Sequence, residues 1–286
     1  MIKLEKKNQP TVGIALSGGS ALGIAHIGIL ESLADHGIKI DCITGTSAGA
    51  LVAACFAFGV PLKQMAETAK SLSWIKLFSF PRSALGLTKN QAIGDMVIKY
   101  IGDVNIEDSP IPLAIVATDL GSGEKIVMRQ GNVAEAVMAS TSIPGIFTPR
   151  TWQDRQLVDG VLVENLPLSP LLEFNPDIKI AANLSKWRTF RKPKHFVDVM
   201  LNSMDIMTQH QSCSHPIKAE VMIEPHLEDF TASDWNKAAE LLAAGYKAAT
   251  LTAPEILRLL QKQKTSGQNE MPVKTPWYNK LFSWIK

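Results

Sequence analysis

The sequence predicts an α/β domain with a largely parallel central sheet. Short apolar strand-like runs alternate with helix-like segments along most of the 286 residues. The first strand runs into a glycine-containing turn, Ser17-Gly18-Gly19-Ser20, that feeds a helix. A second apolar run meets its helix through Gly45-Thr46-Ser47-Ala48-Gly49, a G-x-S-x-G pattern that belongs on a sharp strand-to-helix turn.

The elements follow in order. Thr11 to Leu16 is a short apolar strand, and the helix after it spans about Ala21 to Asp35, stopped by Gly37. Ile40 to Thr44 is the second strand, and Ala48 to Phe58 the helix after the serine, ended by Gly59 and Pro61. Thr88 with Gln91 reads as a capping box for a helix reaching Ile101. Pro112 to Thr118 is a buried strand, and Gly121-Ser122-Gly123 turns into another from Glu124 to Arg129. Asn132 with Glu135 opens a short helix. Gln156 to Val158 is a strand ending at Asp159-Gly160, and Ile178 to Leu184 and Ala219 to Ile223 are later strands. Helices are expected near Asp234 to Thr250 and Pro254 to Lys264. The polar run from Thr265 to Pro276 separates residues 1–264, the α/β domain, from an aromatic and basic tail within 265–286.

Composition is that of a globular domain, 46% hydrophobic and 20% charged. A net charge of +2 gives no general attraction to nucleic acid. Cys42, Cys55 and Cys213 form no C-x-x-C pair, a usage that suits a reducing cytoplasm. Met1-Ile2-Lys3-Leu4-Glu5-Lys6-Lys7 is too charged for a signal peptide. The uncharged stretch from Cys42 to Leu62 has the length of a membrane span, but its glycines and Pro61 read as buried strand, turn and helix.

A serine nucleophile needs a proton acceptor and donors for the oxyanion formed on attack at an ester carbonyl. The flanking Gly45 and Gly49 permit strained backbone and close approach of neighbouring chain. Backbone N–H groups of Gly18, Gly19 and Ser20, ahead of a helix N-terminus, can converge on negative charge. An ordinary βα turn is the alternative for that loop; its glycines do not match G-x-G-x-x-G, and no Lys-Ser/Thr follows. His26, His36, His195, His210, His215 and His226 each suit a Ser-His-Asp triad by residue type alone. His26 is better placed to pack beside the glycine loop, and the histidines around 210–216 fit a polar loop better than a metal site. Asp159-Gly160 is the only Asp-Gly in the chain, at a strand end where a turn presents its side chain. No metal site and no cofactor are expected.

Together these pieces resemble the patatin-like phospholipase family. The matching residues are Leu16 to Gly23 continuing through Ala25-His26-Ile27-Gly28, then Gly45 to Gly49, then Asp159-Gly160. Ala117-Thr118-Asp119, Ala139-Ser140, Ile143-Pro144-Gly145 and Asn165-Leu166-Pro167 also look like family segments, and the likeness extends over about Thr11 to Leu260. It implies a three-layer α/β/α fold and a Ser-Asp dyad without histidine, acting on carboxylic esters of lipids. By that similarity Ser47 is the nucleophile, Asp159 the base, and the amides of Gly18, Gly19 and Ser20 the oxyanion hole. The chain departs from the family pattern in two places. Ser20 stands at the third glycine and Leu22 at a usually basic position, and Val161 follows Asp159-Gly160 where a smaller residue is usual. The lost cation removes one partner for a substrate phosphate.

Three segments suit contact with lipid. Leu72 to Phe80 carries Trp74, Ile75, Leu77, Phe78 and Phe80 and fits a cap over an acyl pocket. In the tail, helical spacing would put Trp277, Leu281, Trp284 and Ile285 on one face, which suits an interfacial anchor for a peripheral cytoplasmic enzyme or a helix docked on the body. The basic run Lys186, Arg188, Arg191, Lys192 and Lys194 suits an anionic surface or a solvated loop.

Overall fold

A computed structural model describes residues 9–71, 86–186, 192–212 and 219–269. The strands are β1 (Val12–Leu16), β2 (Cys42–Thr46), β3 (Leu113–Asp119), β4 (Lys125–Met128), β5 (Arg150–Trp152), β6 (Arg155–Asp159), β7 (Ile178–Ala182) and β8 (Val221–Ile223). They form one sheet ordered β5-β6-β3-β2-β1-β7-β8, with β4 also paired to β3. From β3 through β2, β1 and β7 to β8 every pairing is parallel; β4 is antiparallel on the edge of β3 away from β2, and β6, with β5 beyond it, is antiparallel on the same edge of β3 as β2.

Side chains alternate across a strand, so each strand feeds two layers. Ile14, Leu16, Ile43, Ile115 and Ile180 point into the larger core. That core is closed by α1 (Ile24–Asp35), α2 (Ala48–Ala57), α3 (Leu62–Ser71), α4 (Gln91–Ile101) and α5 (Val133–Ser140). The intervening positions are small: Ala15, Cys42, Ala114 and Ala181 meet Leu168, Leu171 and Phe174 of α6 (Leu168–Phe174) on the other face. They must be small because α6 lies close; a Cβ on Gly13 would stand 2.9 Å from Leu171 Cδ1. The expected three layers are therefore present. A third cluster joins Leu201 and Met204 of α7 (Phe196–Ser212) to Ile143, Ile146, Phe147 and Val161.

Packing overrides local signals at the C-terminal end. Instead of two helices parted at Pro254, α8 runs unbroken from Ala238 to Asn269 with Pro254 inside it. Proline removes one helical N–H and crowds the preceding turn, but Ala249, Ala253 and Ile256 are buried in the main core and hold the axis. The helix also extends into the run expected to be a linker. Against α1 it packs almost backbone to backbone, since a Cβ on Gly28 would overlap the Leu242 carbonyl oxygen and one on Gly245 that of Ala25. The Thr88 capping box is corrected too. The backbone of Thr88 is engaged in pairing with Ile146 and Thr148, and Asn90 is the N-cap, without a side-chain cap bond. Asn132 does cap α5, its side chain accepting from the Glu135 amide at 3.0 Å. Residues 42–62 form β2, α2 and the turn after it, and among the described residues no helix is long and apolar enough to cross a membrane.

Candidate active site

Strand β3 brings the two ends of the site together. One of its edges carries β4 from Ile115 to Thr118, so β2 and β6 share the other edge. There Val116 pairs with Thr46, and the next residue, Ala117, pairs with Asp159. Strand β2 stops where β6 arrives, and the residues at that junction are Ser47 and Asp159. The Ser47 hydroxyl donates to Asp159 Oδ2 at 2.7 Å. Glycine at 160 is required by the crowding, because a Cβ there would overlap the Val116 carbonyl oxygen.

Ser47 sits on a strained turn, with φ 54° and ψ −123°, a conformation that costs an ordinary residue on the order of 1–3 kcal/mol. Its neighbours fix it. The Ser47 amide donates to Ser140 Oγ at 2.9 Å, and that hydroxyl donates onward to the Val116 carbonyl at 2.6 Å. A Cβ on Gly45 would lie 2.6 Å from the Ala50 nitrogen, and one on Gly49 2.6 Å from the Ser17 carbonyl oxygen. Both glycines of the motif are needed for close approach. Thr44 and Thr46 donate to the carbonyls of Pro167 and Glu164, tying the segment after Asp159 to the strand before Ser47.

The glycine loop lies against the serine: a Cβ on Gly18 would be 3.2 Å from Ser47 Cβ. Its three amides are not equivalent. That of Gly18 donates to Asn165, to both the backbone and the side-chain oxygen at 3.1 Å. In this conformation that amide anchors the loop to Asn165. Gly19 and Ser20 amides have no acceptor among the described residues. Ser20 takes φ 52°, the left-handed region that glycine adopts without strain. Leu22 is buried in the main core and Val161 in the third cluster, so these two of the three departing residues are packing residues. Asn165 and Ser140 were legible only as family-like segments; nothing in their spacing assigns them the roles of loop anchor and elbow support.

Burial without a cationic neighbour pushes the Asp159 carboxyl up to about 7, against the opposing hydrogen bonds from Ser47 and the Val161 amide. His26, fully buried, is pushed down to about 4, and its Nε2 donates to the Ser17 carbonyl at 2.7 Å. It braces the glycine loop as a neutral ring. Among the described residues no histidine bonds Ser47 or Asp159. His195 and His226 are exposed, and His36 bonds the Ser32 carbonyl. The His210 side chain, His215 and Cys213 lie outside the described residues, as do Leu72 to Phe80, Arg188, Arg191 and the 277–285 tail.

A cavity lined mostly by apolar side chains lies along α2, the helix that follows Ser47. Ser20 and Ala48 stand at one end; Leu51, Val52 and Cys55 continue it along one side of α2 towards Val60 and Met65. Burial pushes the Cys55 thiol up to about 12, so at neutral pH it is an apolar wall residue.

The family model described as patatin-like phospholipase matches residues 14–172, more than half of the chain. Uncharacterized NTE family proteins of Mycobacterium tuberculosis and Mycobacterium bovis are 36% identical over 187 residues, 64% of this chain and 52% of theirs. The protein named lysophospholipase NTE1 of Cryptococcus neoformans var. neoformans is 32% identical over 168 residues, 57% of this chain and 10% of that one. The chain thus spans about half the length of the mycobacterial relatives it matches. Among solved structures, VipD from Legionella pneumophila aligns with a TM-score of 0.51 at 13% identity, covering 90% of this chain and 67% of that one. Human GIVD cytosolic phospholipase A2 aligns at 0.50 and 12%, covering 92% and 61%. At such identities the likeness is one of fold.

Proposed function

The chain belongs to the patatin-like phospholipase family, and from that premise we propose that it is a serine acyl hydrolase of lipid carboxylic esters, with Ser47 as nucleophile and Asp159 as base. The observation that carries the reading is the 2.7 Å hydrogen bond from the Ser47 hydroxyl to Asp159. On attack the Ser47 oxygen bonds the acyl carbon, its proton passes to Asp159 Oδ2, and the carbonyl oxygen becomes the oxyanion. The amides of Gly19 and Ser20, at the mouth of the glycine loop, are the donors suited to receive it. Collapse expels the alcohol or lysolipid, which takes the proton back from Asp159. Water then repeats the sequence and frees the acid. An aspartate near pH 4 would be a weak base for an alcohol; one held near 7 by burial is far better matched.

The apolar cavity supports an acyl chain as the group bound beside Ser47. Leu22 gives the site no cation at the usual position, which favours recognition by the acyl chain over recognition of a phosphate. Peripheral membrane contact through residues 277–285, in a cytoplasmic enzyme, completes the proposal. Hydrolysis of p-nitrophenyl butyrate tests it. Wild-type protein should turn the ester over, and Ser47→Ala and Asp159→Asn should each cut kcat by roughly a thousandfold or more while the chain still folds. Wild-type turnover in either variant would overturn the assignment.

A further inference from the structure

Helix α7 has two apolar faces, and the described residues cover only one of them. Val197, Leu201 and Met204 pack inward on Val161 and Leu162, in the turn that follows Asp159. On the outside, Phe196, Val199, Ile206 and Met207 are 56%, 47%, 47% and 42% exposed. At 3.6 residues per turn these four fall, with positions 203 and 210, in one sector that holds no Asp, Glu, Lys or Arg. Asp198 and Asp205 lie on the flank between the sectors. Asp198 is occupied there, accepting from the backbone amides of Lys194 and His195.

An exposed apolar stripe of this kind marks an interaction surface more often than an accident of packing. Two features indicate the partner. Lys192 and Lys194, just before the first turn, are exposed and form no ion pair with any described residue. They place positive charge at one end of the stripe. The helix also rests on the turn carrying Asp159, and Phe196 and Met200 approach Gly145 in the neighbouring loop, so whatever binds the stripe lies beside the site.

We propose that the outer face of α7 docks on an anionic lipid bilayer. Phe196, Val199, Ile206 and Met207 enter the acyl boundary, and Lys192 and Lys194 meet headgroup phosphates. Its purpose rests on the acyl-hydrolase reading above, since docking would hold the site at the surface where its substrate lies; the binding itself needs no turnover. Apolar insertion supplies the affinity, and the two lysines add attraction to an anionic surface.

The test is co-sedimentation of the full chain with vesicles of phosphatidylcholine alone or mixed with phosphatidylglycerol. Wild-type protein should bind the mixed vesicles, with binding weakened by salt. Val199→Asp with Ile206→Asp should lower binding by roughly tenfold or more without changing the melting temperature, because both positions are exposed. Lys192→Glu with Lys194→Glu should remove the preference for phosphatidylglycerol. Ser47→Ala should bind like wild type, so that a failure of docking and a failure of the catalytic reading are read separately. The proposal falls if Val199→Asp with Ile206→Asp binds as well as wild type. It falls equally if Trp277→Ser with Trp284→Ser abolishes binding while the α7 variant retains it. A wild-type dimer that ignores vesicles and is split by the α7 variant would assign the face to a second copy of the chain.

Discussion

Asp159 and His26 are both buried, and their titrations pull in opposite directions. Asp159 rises towards 7, so the folded chain holds its proton more tightly than the unfolded chain does. Stability from this group is full below pH 3.8 and is lost as pH climbs through 7, leaving the ionised carboxylate a cost on the order of 4 kcal/mol. His26 falls from 6.5 to about 4, so its contribution is full above 6.5 and is lost as pH drops through 4. The costly charge is the one the proposed chemistry requires. Accordingly kcat/KM should rise with pH along a single ionisation centred near 7 and stay level above it, as a pH-rate profile on a soluble ester will read. A limb centred near 4, the ordinary carboxylate range, would mean that burial does not raise the Asp159 carboxyl. In Asp159→Asn the burial cost disappears, and the melting temperature above pH 7 should exceed that of wild type even as turnover is lost.

Between elements, close approach decides what propensity cannot. Gly28 lies inside α1, where glycine is worth roughly 1 kcal/mol less than alanine, so helix propensity alone makes Gly28→Ala stabilising. The contact with α8 reverses the sign, because the new methyl group would overlap the Leu242 carbonyl oxygen. Gly28→Ala should lose about 1–3 kcal/mol in urea denaturation, and a gain would refute the packing. That contact joins residues more than two hundred positions apart, which is why no local pattern announced it. The strands were legible because apolar runs bounded by glycine and proline are local signals, and β1, β3 and β7 fall within a residue or two of expectation. The elements that sequence reasoning passed over are short or lack a cap signal: α3, β5 and α6. Helix α7 escaped because apolar residues on both of its faces blur the helical period. Ser47, Asp159 and the glycine loop were readable through their motifs, whereas the roles of Ser140 and Asn165 exist only across the fold.

The whole molecule is organised around one strand that acts as a ruler. β3 stops β2 at Thr46 and receives β6 at Asp159 on consecutive residues, so the turn of Ser47 and an Asp-Gly turn, 112 residues apart, meet at one edge. The glycine loop after β1 closes the site above the serine, the apolar cavity lies along α2, and α7 flanks the turn of Asp159. This arrangement is compact because parallel strands deliver their C-terminal ends to the same side of the sheet. The proposed nucleophile at its centre, the hydroxyl at 47, is tested by peptide mapping with mass spectrometry after treatment with a fluorophosphonate probe. A covalent adduct is expected on the peptide containing Ser47, absent from Ser47→Ala and strongly reduced in Asp159→Asn. Adducts confined to another residue, or none from protein that hydrolyses esters, would contradict it.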